Sequence, residues 1–522
     1  MLIYGASGCD IILFMPIHPP HKHRNHEWWI VLVIMAVAFV FRFQHIQSTP
    51  PGLYPDEAMN GNNALQALET GDYKLYYPEN NGREGLFIAL QAQSIRIFGN
   101  EAWALRVVSA FFGTLTVLGL YLLTRKLFNW EIAAFASFLM AVSFWHTMFS
   151  RIGFRAIMAP FFLVWALYFF WKGKTTLHLV HFGLAGVFFG LGFYTYISYR
   201  IVPLIVIATL LAYWYFIKKD FAHDKYIHAR NELTRGLAMF MLVTFIVALP
   251  LGWYYFTHPA DFLGRTSQVS IFSADHPTEA LIVNTGKTLG MFNFAGDYNW
   301  RHNFSGRPLL FWPVGIMFLI GFLRSWRKFT TIHVMLLSWF ILGLAPVILS
   351  SEGLPHALRA ILVVPVVFIF AGEGLWWVYN FTRRWYRLTD KHEVVAHGHH
   401  THESNAIATL AVVLLLVGIM LNEYRVYFKD WAHNPNLPDA FDVTSVELGR
   451  KLNALPQSQL KYVLVNAGGV LVNNIPMPAQ TVMYITDTWT PEKQQAKNIF
   501  YLTEEQYAKK LYPKNATIFP LH

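Results

Sequence analysis

The sequence predicts an α-helical polytopic membrane protein that carries a small α/β domain after its last membrane span. Of the 522 residues, 54% are hydrophobic and 17% aromatic, whereas only 14% are charged. This composition is too apolar for one water-soluble core. Apolar runs long enough to cross a bilayer recur along the chain, and residues 423–522 change to a mixed pattern of helix and strand.

The apolar runs predict about eleven transmembrane helices. They lie at residues 28–45, 104–123, 131–149, 156–171, 178–196, 200–217, 236–256, 308–323, 332–350, 359–379 and 405–422. Residues 28–422 are therefore expected to form the membrane domain. Residues 1–27 lack the basic start and the cleavage site of a signal peptide, so we expect a cytoplasmic tail there.

The distribution of basic residues predicts the orientation of the chain. With the N-terminus inside, each inner connection carries at least two Lys or Arg residues, as the positive-inside rule requires. These connections are Arg125–Lys126, Lys172–Lys174, Lys218–Arg235, Arg324–Lys328 and Arg383–Lys391. The net charge of +10 thus indicates contact with anionic lipid rather than with nucleic acid. The segments 46–103, 257–307 and 423–522 are expected outside, on a multi-pass protein of the cytoplasmic membrane.

Residues 423–522 are predicted to form a small extracytoplasmic α/β domain. Apolar alternation in KYVLVNAG, TVMYITD, NIFYLTE and ATIFPLH indicates strands, and FDVTSVELGRKLNAL has a helical pattern. No nucleophile or metal cluster is evident in this segment. A cover or docking role without chemistry is therefore the simplest interpretation of the domain.

Several motifs that would indicate a cofactor or a metal fail on spacing. The single cysteine, Cys9, excludes a disulfide framework. His392 and His397 flank Glu393 with one residue too many for a zincin helix, and the histidine-rich stretch 397–403 fits a flexible loop. There is no Walker loop and no GxGxxG sequence, which disfavours a nucleotide-driven pump. We therefore expect no cofactor, and no convincing metal-ligand set is evident.

The first outside segment contains the strongest candidate for chemistry. Asp56 and Glu57 follow Pro55 shortly after the first predicted span, where a helix would start. They could be ordinary first-turn acids, but they would also lie at the water–lipid boundary. The stretch from Arg83 predicts an amphipathic helix suited to the membrane surface.

Further polar residues are predicted on the same outer face. They are Arg83, Arg151, Arg155, Arg200, Arg301 and Arg359, with His302 and His356. Arginines hold phosphate oxygens through charge-assisted hydrogen bonds, and a carboxylate can accept a proton from an attacking hydroxyl. Single interfacial arginines also pair with lipid headgroups, but several from separate loops favour a site for a lipid-linked phosphate.

Five segments together resemble bacterial family-39-type glycosyltransferases, the protein O-mannosyltransferase and aminoarabinose-transferase-like group of the GT-C superfamily. They are PDEAMNGNNA from Pro55, GREGLF from Gly82, SRIGFRAIMAP from Ser150, GDYNWRHNFSGRP from Gly296 and GLPHALRAILVVPVVFIFAG from Gly353. The resemblance covers about residues 28–380. It implies a GT-C fold and an inverting transfer of a sugar from a polyprenyl-phosphate donor on the outer face.

By this resemblance, Asp56 is the catalytic base, Glu57 shapes the site, and Arg83 lies near the donor phosphate. We extend the phosphate-binding set to Arg151, Arg155, Arg301 and Arg359, and add His302 and His356 as further site residues. Gly85 stands where a proline is usual in aminoarabinose transferases, so their lipid A acceptor is not carried over. The chain also lacks a WWDYG-type motif, which argues against asparagine-linked transfer.

The acceptor is expected to be a hydroxyl of a protein, a lipid or a cell-envelope glycan. A transporter or lipid flippase is the alternative, with the charged face as its gate. Transporters usually place ionisable groups near the bilayer midplane and within internal repeats, whereas these charges cluster at one surface. A non-catalytic envelope scaffold is the third interpretation.

Overall fold

A computed structural model of the protein describes residues 24–217, 227–273, 275–389, 400–466 and 468–521. Most of the predicted cytoplasmic tail and the start of the histidine-rich stretch lie outside these residues. The helices, in chain order, are α1 (Arg24–Phe43), α2 (Pro55–Thr70), α3 (Gly85–Phe98), α4 (Ala102–Leu127), α5 (Trp130–Val142), α6 (Phe144–Ser150), α7 (Met158–Thr176), α8 (Leu179–Gly192), α9 (Val202–Ile217), α10 (Ile227–Thr257), α11 (Pro259–Gln268), α12 (Pro277–Gly290), α13 (Trp312–Arg327), α14 (Thr331–Gly343), α15 (Ala345–Ile348), α16 (Val364–Thr389), α17 (His400–Arg425), α18 (Leu437–Ala440), α19 (Val443–Ala454), α20 (Ala479–Thr486), α21 (Pro491–Lys497) and α22 (Glu504–Ala508). The strands are β1 (Tyr76–Tyr77), β2 (Arg83–Glu84), β3 (Lys461–Val465), β4 (Leu471–Val472), β5 (Ile475–Pro476), β6 (Ile499–Thr503) and β7 (Thr517–Leu521).

The protein is a helical multi-pass membrane protein, as its composition predicts. Within the described residues, seven helical stretches are long and apolar enough to cross a membrane, or up to eight if α5 and α6 count as one bent span. Each predicted apolar run does contain a helix. Because α8 and α13 have only 14 and 16 residues, the count of eleven spans stays a prediction.

The break between α5 and α6 shapes the outer end of the membrane domain. The two helices meet at an angle of 61°, which leaves backbone carbonyls at the end of α5 without helical partners. The buried Arg42 guanidinium donates to the carbonyls of Met140 and Ala141 at 3.3 and 2.8 Å, and it contacts His146 Nδ1 at 2.8 Å. Arg42 thereby stabilises the bend that precedes the loop at residues 151–154.

The first outside segment folds into two helices and a short hairpin. Helix α2 starts at Pro55, and β1 pairs with β2 in antiparallel register before α3 begins at Gly85. Helix α3 buries Phe87, Ile88 and Ile95 and exposes Ile97. The predicted amphipathic helix is therefore present, and its place on the membrane surface stays a prediction.

The C-terminal region contains a three-stranded parallel sheet in the order β6-β3-β7. Strands β3, β6 and β7 fall in three of the four segments predicted as strands, and α19 falls in the predicted helix. The fourth prediction is wrong, because TVMYITD lies in α20. Nearly every residue of α20 is buried, since one side packs on the sheet and another on α2. Alternating polarity therefore gave no information about its conformation.

Candidate active site

Asp56 lies in the first turn of α2 and is partly exposed. An acidic side chain is favourable there because the helix N-terminus carries a partial positive charge. Asn80, in the turn of the β1–β2 hairpin, donates from Nδ2 to Asp56 Oδ1 at 2.7 Å. One carboxylate oxygen is thus oriented by the hairpin, while the group as a whole stays partly accessible to solvent.

Glu57, the next residue, lies in an entirely different environment. It is fully buried and forms an ion pair with the equally buried Arg106 of α4, with Nε to Oε2 at 2.9 Å and Nη2 to Oε1 at 3.0 Å. The backbone N–H of Gly153 donates to Oε2 at 2.7 Å. Arg106 also donates to the carbonyls of Pro50 and Gly52. This arrangement leaves Glu57 to position the loops rather than to react with a substrate.

Arg301 extends from the second outside segment to the residues around Asp56. Its guanidinium carbon lies 3.6 Å from the centre of the Tyr54 ring, a distance at which cation–π attraction is strong. Arg301 Nε is buried and has no hydrogen-bond partner among the described residues. Burial raises the pKa of Tyr54, and the negative charge of Asp56 raises it further. Tyr54 therefore lies near both the acid and the arginine.

Arg83 is buried on β2 and is largely occupied by contacts within the protein. Its two terminal nitrogens donate to Asn60 Oδ1 and Asn63 Oδ1 of α2, each at 2.7 Å. Among the described residues, no hydrogen-bond partner of its Nε is present. Burial lowers the pKa of Arg83 to about 10, with a further contribution from the charge of Arg155. Arg83 therefore stays charged at neutral pH and joins the hairpin to α2.

The other predicted phosphate ligands make contacts within the protein. Arg151 is fully buried and donates to the carbonyls of Phe41 and Thr49 at 3.1 and 2.8 Å. Arg155 pairs with Glu84 at 2.7 Å. These geometries give no direct support to phosphate binding by either arginine. They indicate that both arginines hold helix ends and loops in place.

Arg359 and Arg200 also contact neighbouring loops. Arg359 donates to the carbonyl of Glu352 at 2.9 Å and lies 3.6 Å from its carboxylate. Arg200 donates to the carbonyl of Phe262 and to the hydroxyl of Tyr255 at 2.7 and 3.1 Å. Among the predicted phosphate ligands, Arg83, Arg151 and Arg301 each keep a buried Nε that has no hydrogen-bond partner among the described residues. Of these, Arg301 lies against the ring of Tyr54, two residues before Asp56.

His302 and His356 lie together around Asp297. His302 Nδ1 lies 3.1 Å and His356 Nδ1 3.8 Å from Asp297 Oδ2, and the two imidazole rings stack at 4.8 Å. Burial favours a higher pKa for Asp297, but the hydrogen bond from His302 and the two imidazoles outweigh it and lower that pKa. The backbone N–H of Ala357 also donates to Asp297.

This histidine–aspartate cluster could hold a divalent metal ion. One ligand atom from each of its three side chains lies within 4.8 Å of the others, and two imidazoles with one carboxylate are a typical zinc donor set. The sequence suggested no such set, because Asp297 and His302 lie far from His356 along the chain. The fold assembles it by placing the 297–302 and 356–357 loops side by side.

Some residues of the site were not predicted from the sequence. Arg106 was overlooked although it is an arginine within a predicted apolar run, where charged groups are usually paired or functional. Tyr54 and Asn80 carried no signal of their own, since a tyrosine and an asparagine in polar loops are common. Only their contacts with Arg301 and Asp56 identify them.

Residues 86–253 match the family model described as dolichyl-phosphate-mannose-protein mannosyltransferase. A search of curated protein sequences gives no match. Among solved structures, the oligosaccharyltransferase AglB from Archaeoglobus fulgidus, in complex with an inhibitory peptide and a dolichol-phosphate, is similar with a TM-score of 0.55 and 14% identity. The match covers 89% of this chain but only 64% of AglB.

ArnT from Cupriavidus metallidurans, bound to undecaprenyl phosphate, is similar with a TM-score of 0.54 and 14% identity. That match covers 95% of this chain and 93% of ArnT. The fold is therefore that of the polytopic membrane glycosyltransferases of the GT-C superfamily. The family match and the similarity to ArnT confirm the resemblance to the protein O-mannosyltransferase and aminoarabinose-transferase group.

Proposed function

We propose that the protein transfers a sugar, with inversion at the anomeric carbon, from a polyprenyl-phosphate donor to a hydroxyl acceptor on the outer face of the cytoplasmic membrane. The observation that carries this proposal is that Asp56 and Arg301 both lie near Tyr54. A base and a phosphate ligand must lie close together for such a transfer. The lipid phosphates named with AglB and ArnT agree with the proposed donor class.

In the proposed reaction, Asp56 accepts the proton of the acceptor hydroxyl as its oxygen bonds to the anomeric carbon. The bond between that carbon and the phosphate oxygen breaks, and polyprenyl phosphate leaves with the electron pair. Arg301 offsets the negative charge on the phosphate through charge-assisted hydrogen bonds. The stacked Tyr54 ring keeps the guanidinium in place, and Asn80 fixes the orientation of the carboxylate.

The remaining arginines have supporting roles in this proposal. Arg83 could add one hydrogen bond through Nε, because its other donors are engaged by α2. Arg155 holds Glu84 and the carbonyl of Gly82, so it stabilises the hairpin that carries Asn80. A metal ion held by Asp297, His302 and His356 would add positive charge beside Arg301.

Donor consumption by the purified protein tests the proposal. The protein is incubated with a radiolabelled polyprenyl-phosphate sugar, and the release of labelled sugar from the lipid is measured with and without soluble hydroxyl acceptors. The lipid-linked sugar that copurifies with the protein identifies which donor to use. Donor binding without any release of sugar from the copurifying donor would favour the transporter instead.

Labelling of single cysteines tests the proposed outer location. In a Cys9→Ser background, Lys451→Cys in the C-terminal region should react with an impermeant maleimide in intact cells. Lys225→Cys, in the inner connection predicted from the sequence, should react only after the membrane is permeabilised. The reverse labelling pattern would place the proposed site on the cytoplasmic face.

A further inference from the structure

Helix α20 of the C-terminal region packs directly on the helix that carries Asp56. Asn62 of α2 donates from Nδ2 to the carbonyl and to Oε1 of Gln480, at 3.1 and 2.9 Å. The Thr481 hydroxyl donates to the carbonyl of Leu53 at 3.0 Å. These groups are buried, so their hydrogen bonds fix α2 and its preceding loop more firmly than exposed contacts would.

The close approach of the two helices depends on one glycine. A Cβ atom added to Gly61 would lie 2.4 Å from Cε2 of Tyr484 and 3.0 Å from Cδ1 of Leu105. Tyr484 is fully buried, and its hydroxyl donates to the carbonyl of Glu101 at 3.3 Å. Helix α2 is therefore held between α4 on one side and α20 on the other.

The segment that follows α17 holds the opposite side of the candidate site. Trp431 is fully buried and donates from Nε1 to the carbonyl of Trp300, the residue before Arg301, at 3.1 Å. Glu423, at the end of α17, pairs with Arg307 at 2.6 Å. The loop at residues 297–307 is thus attached to the same C-terminal region that contacts α2.

We propose that residues 423–486 act as a clamp that sets the position of Asp56 relative to Arg301. One part of this clamp, Gln480, Thr481 and Tyr484, holds α2, and the other, Glu423 and Trp431, holds the 297–307 loop. The inference rests on the proposed function, because it assigns positioning residues to that reaction. It replaces the expectation that the C-terminal domain is only a cover.

Gly61→Ala tests the clamp without altering any group proposed to contact the donor. The added methyl should displace α2 from α20, and a shift of about 1 Å at a reacting group can cost about 10²-fold in rate. We expect kcat to fall to this extent, while the donor affinity set by Arg301 stays within about twofold of the wild-type value. Gly286→Ala is the matched control, since a Cβ atom there meets no atom within 4 Å.

A second substitution distinguishes positioning from general damage. Removing the opposing ring in Gly61→Ala/Tyr484→Ala should restore part of the lost kcat, although each single variant is less active than the wild type. If Gly61→Ala does not yield folded protein, Asn62→Ala and Gln480→Ala replace it, and both should lower kcat without weakening donor binding.

Several outcomes would overturn the clamp. If the wild-type protein is active and the Gly61→Ala variant keeps its kcat, the clamp is wrong but the proposed function is not contradicted. Equal losses in kcat and donor affinity, or a double variant without any recovery, would indicate a general structural role instead. A wild-type protein that releases no sugar from its copurifying donor counts against the proposed function itself.

Discussion

Asp56 and Glu57 are adjacent in the chain, yet they lie in two regions of opposite character. The region around Glu57 is closed, since its carboxylate is fully buried between Arg106 and the Gly153 amide. The region around Asp56 is partly open to solvent and includes Arg301, which has a buried Nε without a hydrogen-bond partner among the described residues. A buried ion pair with all its bonds made holds loops together, whereas a partly exposed acid beside an unused donor can act on a ligand.

The same difference divides the arginines of the outer face. Arg106 and Arg151 direct their terminal nitrogens at backbone carbonyls and, for Arg106, at a buried carboxylate. Arg301 instead lies against an aromatic ring, which stabilises its cation, and its Nε has no hydrogen-bond partner among the described residues. Positive charge alone therefore does not identify a phosphate ligand, and the partners already present must be considered.

The largest effect is expected from Asp56→Asn, which tests the open region. Asparagine keeps the size of the side chain and can still accept a hydrogen bond from Asn80, but it cannot take the proton of an acceptor hydroxyl. Transfer should fall by about 10²- to 10⁴-fold, with little change in melting temperature or donor binding. Single-turnover sugar release measures the transfer rate, and thermal unfolding measures the melting temperature. Near wild-type transfer would remove the base assignment.

Glu57→Gln tests the closed region and should act mainly on folding. Removing one partner of a buried ion pair leaves the other charge uncompensated, which costs about 3–5 kcal/mol of stability. We therefore expect a clear drop in melting temperature. The double variant Glu57→Gln/Arg106→Gln, in which no charge stays buried, should recover part of it. Loss of transfer with unchanged stability would instead mean that Glu57 takes part in the chemistry.

Arg301→Ala should have the smallest of the three effects and should weaken donor binding. Loss of a hydrogen bond to a charged group costs about 1.5–3 kcal/mol, and Arg301→Lys should recover only part of it because lysine offers no planar fork. Arg359→Ala is the comparison variant, since Arg359 donates to the Ser350 hydroxyl and to the carbonyl of Glu352. Equal losses in donor affinity for both variants would contradict the distinction between the two arginines.

Part of the architecture and part of the site could be predicted from the sequence. Apolar runs located the membrane helices, and alternation located three of the four predicted strands, because both patterns depend on local burial. The alternating pattern wrongly predicted a strand at α20, because two faces of this helix are buried. Among the candidate site residues, Asp56 and Arg301 were proposed from their residue type and loop position. Their proximity was not, since it depends on contacts between distant segments.

By itself, the sequence determined that this protein is a helical membrane protein with polar loops gathered on one predicted face, because hydropathy and charge act residue by residue. The tertiary structure alone decided which of these polar residues are available. It buried Glu57 against Arg106, left the Nε of Arg301 without a hydrogen-bond partner among the described residues, and assembled Asp297, His302 and His356. The physical reason is that a charged group's role depends on its partners and its burial, and both are set by packing between segments far apart in the chain.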